Sequence, residues 1–356
     1  MLTGQQFTKN SFKGEDIFVG IDTHKKSWRI GIFHNETALK TFTQDPKPEL
    51  LVNYLRKNFP DADYHCAYEA GFCGFWIQKS LVKRGIKCIV VNPADVPTSN
   101  KEKEFKNDPR DCMKIARSLR SRLLEPIYIP TDDGLEARQV LRTYSDFSKN
   151  YTRYKNKIKA LINFYGIQYP LEFKNGNSHW STAFFTWLKG ISLKSSAGNW
   201  SFQFYVQECL KAKSLKQQAT KEVHVLSKTA RFSGQVELLR SIPGIGLITA
   251  MIILTEIEDI QRFRNLNQLC AYIGLIPSTK SSGEKERIGD ITNRGNKTLK
   301  GAIVESAWMA IRSDNDLLYK YLQLTKRMEK NKAIIRIARK LVAAILCVLV
   351  NQRKYE

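Results

Sequence analysis

The chain has 356 residues, 42% of them hydrophobic, enough for two or three domains with proper cores. Lys and Arg total 57 against 34 acidic residues, a formal net charge of +23, which argues against an ordinary enzyme of small molecules and for a polyanionic partner, nucleic acid above all. The longest late apolar run, 341–350, is far short of the ~20 residues of a spanning helix, MLTGQQFTKNSFKGED has no signal-peptide core, and the seven cysteines show no CxxC spacing, so a cytoplasmic, nucleoid-associated protein with reduced thiols, no structural zinc and no membrane partner is expected.

Residues 17–26, IFVGIDTHKK, rise out of a polar leader and deliver Asp22 just before a second alternating run, Trp28–Phe33. Two short β-rich runs with little between them predict a hairpin. A carboxylate on a core strand is costly unless a metal, a cation or a hydrogen-bond donor meets it. Asp22 is therefore either a strand-end acid accepting backbone N–H groups or one member of a larger set. Lys25 beside it either contacts phosphate or simply meets water.

Glu49–Asn58 reads as a short amphipathic helix, Tyr64–Glu69 as a strand ending in a carboxylate, and Trp76–Arg84 as a helix closed by Gly85. Ile86–Val91 is an uninterrupted apolar run, suiting a strand buried on both faces. A very basic loop with Lys103 and Lys106 leads to Asp108-Pro109, which opens a helix through Arg120 with Met113, Ile115, Ala116 and Leu119 on its apolar side. Strands alternating with helices predict an α/β domain over residues 1–130.

From Thr131 the pattern changes. Leu135, Leu141, Tyr144, Phe147, Tyr151, Tyr154, Ile158, Leu161 and Tyr165 form a coiled-coil seam on a long helix whose outer face is basic, with Arg138, Arg142, Arg153 and Lys157. A second run, Tyr205 to Ala230, returns antiparallel, and the connection at 166–200 carries Trp180, Phe184, Phe185, Trp187 and Trp200. This arm, 131–235, is an intramolecular helical hairpin with an aromatic tip, a dimerisation element or a nucleic-acid contact.

The third region, 236–356, is mainly α. Ser241-Ile-Pro-Gly-Ile-Gly246 between two helical runs reads as a helix-hairpin-helix. There Gly244 and Gly246 either present backbone N–H groups to a phosphate or serve only close helix packing. A polar loop follows, Pro277–Arg287, with Ser278, Lys280, Ser281 and Ser282, then Arg294 and Lys297 before an apolar helix, Leu299–Ile311. A basic helical tail, Lys326–Lys340, closes the region.

Two-metal phosphoryl chemistry needs several carboxylates on a rigid scaffold, and hard cations choose oxygen ligands. Asp22, Glu69, Asp108 and Asp111 arrive in that order on an α/β pattern, and helical positions three apart share a face. Asp108 and Asp111 also suit a helix start, as N-cap and N3 acids around Pro109.

GIDTHKK around Asp22, YEAG around Glu69 and NDPRDCMKIARSLR around Asp108 and Asp111 resemble the RNase H/RuvC-like DEDD domain of one class of bacterial insertion-sequence transposases. SIPGIGLITA resembles the family's helix-hairpin-helix, and AYIGLIPSTKSSGEKERIGDITNRGNKTLKGAIVESA its serine segment. The resemblance implies that the four acids hold Mg²⁺ or Mn²⁺, and that the serine before Gly283, Ser282, is the nucleophile; a register shift would make it Ser281. It also implies DNA as substrate, a structured RNA from the element as guide, and a homo-oligomer, dimer or tetramer. With no histidine beyond His224, the serine's activation would fall to metals held by the acidic domain. The rivals are a junction nuclease using only the acids and a non-catalytic nucleic-acid binder.

Overall fold

The computed structural model describes residues 11–97, 108–282 and 285–355, with the backbone alone described at 108–110, 279–282 and 285–288. The chain divides between Ile129 and Pro130 into two compact units.

In the first unit, β1 (Asp16–Thr23), β2 (Trp28–His34) and β3 (Thr37–Gln44) form an antiparallel meander. β4 (Asp63–Glu69) pairs parallel with β1, and β5 (Lys87–Val91) parallel with β4, giving the order β3-β2-β1-β4-β5. β1 is central because Ile17, Val19 and Ile21 bury completely, with Ile30 and Ile32 of β2 beside them. β3 is not foreseen in the sequence: its side chains are half-buried or exposed, as an edge strand allows. Between the parallel strands run α1 (Pro48–Asn58), sealed by Leu51, Val52 and Leu55, and α2 (Trp76–Lys83), sealed by Ile77 and Leu81. Gly85 at φ +83° turns the chain back into the sheet.

The helix α3 (Asp108–Arg120) lies across β1 and β2. Its buried side is Cys112, Ile115 and Ala116, whereas Met113 and Leu119, expected there, are half-buried. A five-stranded mixed sheet with such helices is consistent with a RuvC-like domain.

The second unit starts with α4 (Asp132–Phe164), capped by Thr131, whose hydroxyl accepts from the Gly134 N–H at 3.0 Å. It packs along α6 (Ser196–Ser227). The Lys157 ammonium lies over the Tyr205 ring, Tyr154 reaches Glu208, and the Lys216 ammonium lies over the Tyr151 and Tyr144 rings. As one helix ascends in number the other descends, so the pair is antiparallel. Leu141 and Ile158 of the expected seam bury fully. Tyr165 and Ala230, expected at the seam's ends, lie beyond the helices and are exposed, while Ala137 and Ile162 are buried instead. The connection folds α5 (Thr182–Gly190) onto the pair, burying Phe173, Phe184, Phe185 and Leu188 against Ile158, Ile162 and Phe202. Trp200, expected in the connection, belongs to α6 and is exposed.

Then follow α7 (Ser233–Arg240), α8 (Leu247–Ile257), α9 (Leu266–Ile273), α10 (Lys297–Ser313), α11 (Asn315–Thr325) and α12 (Lys330–Asn351) around one core that includes Met251, Ile253, Ile303, Ala307, Ile337 and Leu341. The stretch expected as a polar loop is an antiparallel hairpin, β6 (Pro277–Ser282) with β7 (Lys285–Ile291). Its Ser, Thr and Lys residues give no apolar alternation, so backbone pairing alone makes it a strand. Among the described residues no helix is long and apolar enough to cross a membrane.

Candidate active site and nucleic-acid interface

The register of β1 and β4 aligns Ile21 with Tyr68, so the next residues, Asp22 and Glu69, come side by side at the same end of two parallel strands, about 4.8 Å apart at the backbone. The Asp22 carboxylate is 23% exposed and lies 3.2 Å from His24 Nε2. Glu69 is half-buried.

α3 comes to the same place for a steric reason. A Cβ on Gly20 would stand 1.9 Å from the Cys112 carbonyl oxygen, and one on Gly31 would stand 2.9 Å from the Met113 nitrogen. Only glycine lets the helix backbone rest directly on the two strands. Burial pushes the Cys112 thiol up to about 11, with the Asp22 carboxylate adding to the rise and Arg29 opposing it. The start of α3, which carries Asp108 and Asp111, is thus brought to the end of β1 that carries Asp22. Asp111 is 39% exposed and lies 3.5 Å from Lys114 Nζ. Asp108 is described by its backbone alone, as the first residue of α3.

The loop after Glu69 is tied to this edge. Cys73 Sγ lies 3.5 Å from Thr23 Oγ1, and Tyr68 donates to the Gly74 carbonyl at 3.0 Å. It leaves Phe72 and Trp76 exposed, with Trp76 tilted over Trp28. These two aromatics were not singled out in the sequence; the run GFCGFW directly after YEA was the available signal. The acids offer oxygen donors alone, the set that suits Mg²⁺. Among the described residues no three His, Cys, Asp or Glu side chains cluster tightly enough to hold an ion; the Asp108 carboxylate lies outside that count.

In the second unit the unforeseen residue is Glu256, near the end of the apolar helix α8 and 1% exposed. Arg142 Nε donates to its Oε1 at 3.2 Å, Asn296 Nδ2 donates to its Oε2 at 2.7 Å, and Arg138 Nε stands 3.5 Å from Oε2. Arg138, expected on the basic outer face, turns inward and also donates to the Thr255 carbonyl at 3.0 Å. A lone acid inside MIILTEI was the signal. Asn296 also accepts from the Leu299 N–H, capping α10. The chain reaches Asn296 through Gly295, whose Cβ would meet the Gly274 nitrogen at 2.6 Å, so two glycine backbones pack against each other.

A groove of about 1000 Å³ runs between α4, α8 and α10, with Lys149, Arg153, Lys216 and Lys297 among its walls and Glu305 as an acid. A smaller hollow beside it places Arg142 next to Asn296 and Lys297. Arg142, Arg153 and Lys297, expected to contact nucleic acid, are thereby brought together, and the Lys157 ammonium lies over Tyr205 on the same helix pair. Gly244, at φ +79°, lies against α10, where a Cβ would meet the Ser306 carbonyl oxygen at 2.3 Å; Gly246 faces open space at the start of α8. Lys25 and Arg294 are exposed. Lys280 and Ser282 are described by backbone alone, in β6, and Lys103 and Lys106 lie outside the described residues.

Residues 236–323 match the model of the IS116/IS110/IS902 transposase family, and residues 19–167 match that of the IS110-type DEDD transposases. The chain is 28% identical over 69% of its length to y4qE of Sinorhizobium fredii, which carries a transposase name, and spans 58% of that relative, less than two thirds. It is 23% identical to the transposase of insertion sequence element IS1533 of Leptospira borgpetersenii, covering 70% of this chain and 72% of the relative. Against the transposase of element IS1111A of Coxiella burnetii it is 26% identical, covering 78% and 75%.

Proposed function

Since the chain belongs to the DEDD insertion-sequence transposases, we propose that it moves such an element by cutting and exchanging DNA strands, with Ser282 as nucleophile and Asp22, Glu69, Asp108 and Asp111 as the Mg²⁺ ligands. The observation that carries the reading is the meeting of Asp22 and Glu69 on adjacent parallel strands, with α3 seated on the same strand through Gly20. Mg²⁺ bound there would supply charge neutralisation at the phosphoryl group and lower the pKa of a coordinated oxygen.

The chain's own residues do the rest. The hydroxyl oxygen of Ser282 forms a bond to phosphorus as the bond from phosphorus to the sugar oxygen breaks; the serine proton leaves, and the departing sugar oxygen takes one up. A phosphoserine ester keeps the energy of the phosphodiester. A sugar hydroxyl of a second strand then attacks it, releasing Ser282 and joining the strands without hydrolysis. Arg153 and Lys297 hold phosphates along the α4–α8–α10 groove, and Arg142 does so from the hollow beside it. A structured RNA of the element guides target choice, and the protein works as a homo-oligomer; the excess of 57 basic over 34 acidic residues supports a large polyanionic load.

The test is strand transfer between element ends and target DNA by Ser282→Ala, with Ser281→Ala beside it and a thermal unfolding profile as the fold control. Loss of both transfer and covalent adduct in Ser282→Ala alone supports the reading. Undiminished transfer removes the nucleophile, and free ends with no adduct in the unmutated protein favour the junction nuclease that uses water.

A further inference from the structure

The basic tail is absorbed neither by the acids nor by the α4–α8–α10 groove, and it begins beyond residue 323, where the family match ends. In the structure it becomes α12, whose 22 residues include five cations, Lys330, Lys332, Arg336, Arg339 and Lys340, and no acid. Lys332, Arg336 and Lys340 are spaced by four, so they stand on one side of the helix, and all three are exposed. The opposite side, with Ala333, Ile337, Leu341 and Ile345, is buried in the core. The basic side is therefore fixed in place rather than carried on a loose tail.

That side forms the wall of two adjoining hollows. One, of about 550 Å³, lies between Lys332, Arg336 and Arg339 and the base of the β6–β7 hairpin at Pro277, Gly289 and Asp290. The other, of about 610 Å³, continues past Arg327 and Lys340, and the two share Met328, Arg336 and Arg339. Two contacts hold the junction. Ser278 Oγ donates to the Asp290 carbonyl at 2.9 Å where Gly289 leaves no room for a Cβ, and Arg339 donates to the Leu275 carbonyl at 2.9 Å and to Asn267 Oδ1 at 3.2 Å. Among the described side chains the nearby acids are Asp290 and Glu329, the latter 3.8 Å from Lys332 Nζ. Arg327, Lys332, Arg336, Arg339 and Lys340 outnumber them.

We propose that this strip on α12 binds the phosphate backbone of the DNA strand whose phosphodiester meets the serine hairpin. The inference rests on the proposed role of Ser282. DNA is the occupant because the strip continues from the base of the strand that ends in Ser282. Ser282 is five residues beyond Pro277, within about 17 Å at ~3.3 Å per strand residue. The cations from Lys332 to Lys340 extend a further ~12 Å along α12 at ~1.5 Å per helical residue, so at ~3.4 Å of axis per nucleotide the contacted phosphates lie within about nine nucleotides of the one attacked.

The test is binding of the full chain to element-end duplex DNA across a salt series without Mg²⁺, so that no strand is cut. The variant is Lys332→Gln with Arg336→Gln and Lys340→Gln, which spares Arg339 and its structural bonds. Its control keeps the charges, Lys332→Arg with Arg336→Lys and Lys340→Arg. The Gln variant should lower the slope of log affinity against log salt by about two to three, at ~0.9 per phosphate contact, and the control should leave it unchanged. Methylphosphonates within about nine nucleotides of the joined phosphate, at ~3.4 Å per nucleotide, should weaken the unmutated protein and leave the Gln variant indifferent. An unchanged slope overturns the proposal, as does weakening of RNA binding with DNA binding intact. A change shared by the charge-keeping control also overturns it, because the strip would then act through folding. A Ser282→Ala protein that still transfers strands would sink the proposed function and leave the salt slope to be judged on its own.

Discussion

Gly20 of β1 sits beneath Cys112 of α3 so closely that a Cβ there would stand 1.9 Å from the Cys112 carbonyl oxygen. The contact is backbone on backbone, so no rotamer change can relieve an added methyl group. Gly20→Ala should destabilise the first unit by more than the ~1–3 kcal/mol usual for overpacking and displace Asp108 and Asp111 from Asp22. Thermal unfolding together with Mg²⁺-dependent cleavage measures both effects. A variant with unchanged stability and cleavage would show that α3 is not seated by this glycine.

Asp22→Asn keeps the shape of a half-buried side chain and removes its charge. Cleavage of element-end DNA should fall by at least about 100-fold, beyond the ~10–100-fold typical of residues that only support a ligand. DNA binding without Mg²⁺ should be unchanged or slightly stronger, since a negative charge has gone. Equal cleavage by Asp22→Asn and the unmutated protein would return Asp22 to the role of a strand-end acid.

Glu256 joins Arg138 and Arg142 of α4 to Asn296, the cap of α10. Removing one partner of a buried charge set leaves the others uncompensated, at a cost of about 3–5 kcal/mol. Glu256→Ala should therefore unfold the second unit at markedly lower urea, and Glu256→Gln, which keeps the shape and one accepting oxygen but turns an NH2 toward a donor at the other position, should lie between. Urea titration followed by circular dichroism separates the three. Equal midpoints would mean that the network carries no net stability.

Buried thiols give the molecule an alkaline limit. Burial pushes both Cys88 and Cys209 up to about 12. An acid whose folded pKa is raised stabilises the fold fully below its unfolded pKa, about 8.5 for cysteine. That stability is lost as pH climbs through the folded pKa. Unfolding midpoints should fall steadily between about pH 9 and pH 12. Cys209→Ala, starting lower at pH 8 because of the cavity, should fall less steeply. Native labelling at pH 8 should favour Cys347, the exposed cysteine, over the six buried ones. A flat profile above pH 9 would contradict the burial of these thiols.

Much of the first unit was legible because its strands and helices alternate and its apolar residues mark each one. Asp22 and Glu69 stood out as acids closing apolar runs, and pairing of β1 with β4 converts that pattern into neighbours. β3 was invisible because an edge strand needs few apolar side chains. The serine segment was misread for a related reason: PSTKSS pairs through its backbone, and nothing in its side chains alternates. Arg138 looked like one more cation on a basic helix, since its partner Glu256 lies 118 positions away in the chain. Long-range pairing of this kind leaves no local trace, and Gly20 and Gly31 gave none until α3 was laid over them.

If Ser282 joins DNA covalently with the help of the four acids, the adduct can be caught and read. The most direct measurement is mass spectrometry of the peptide left on element-end DNA after denaturation and proteolysis of a reaction stopped in mid-course. One nucleotide-bearing peptide is expected, modified at Ser282, formed only with Mg²⁺ or Mn²⁺ present and absent from the Asp22→Asn protein. Cleaved DNA carrying no peptide, or a peptide modified elsewhere, would contradict it.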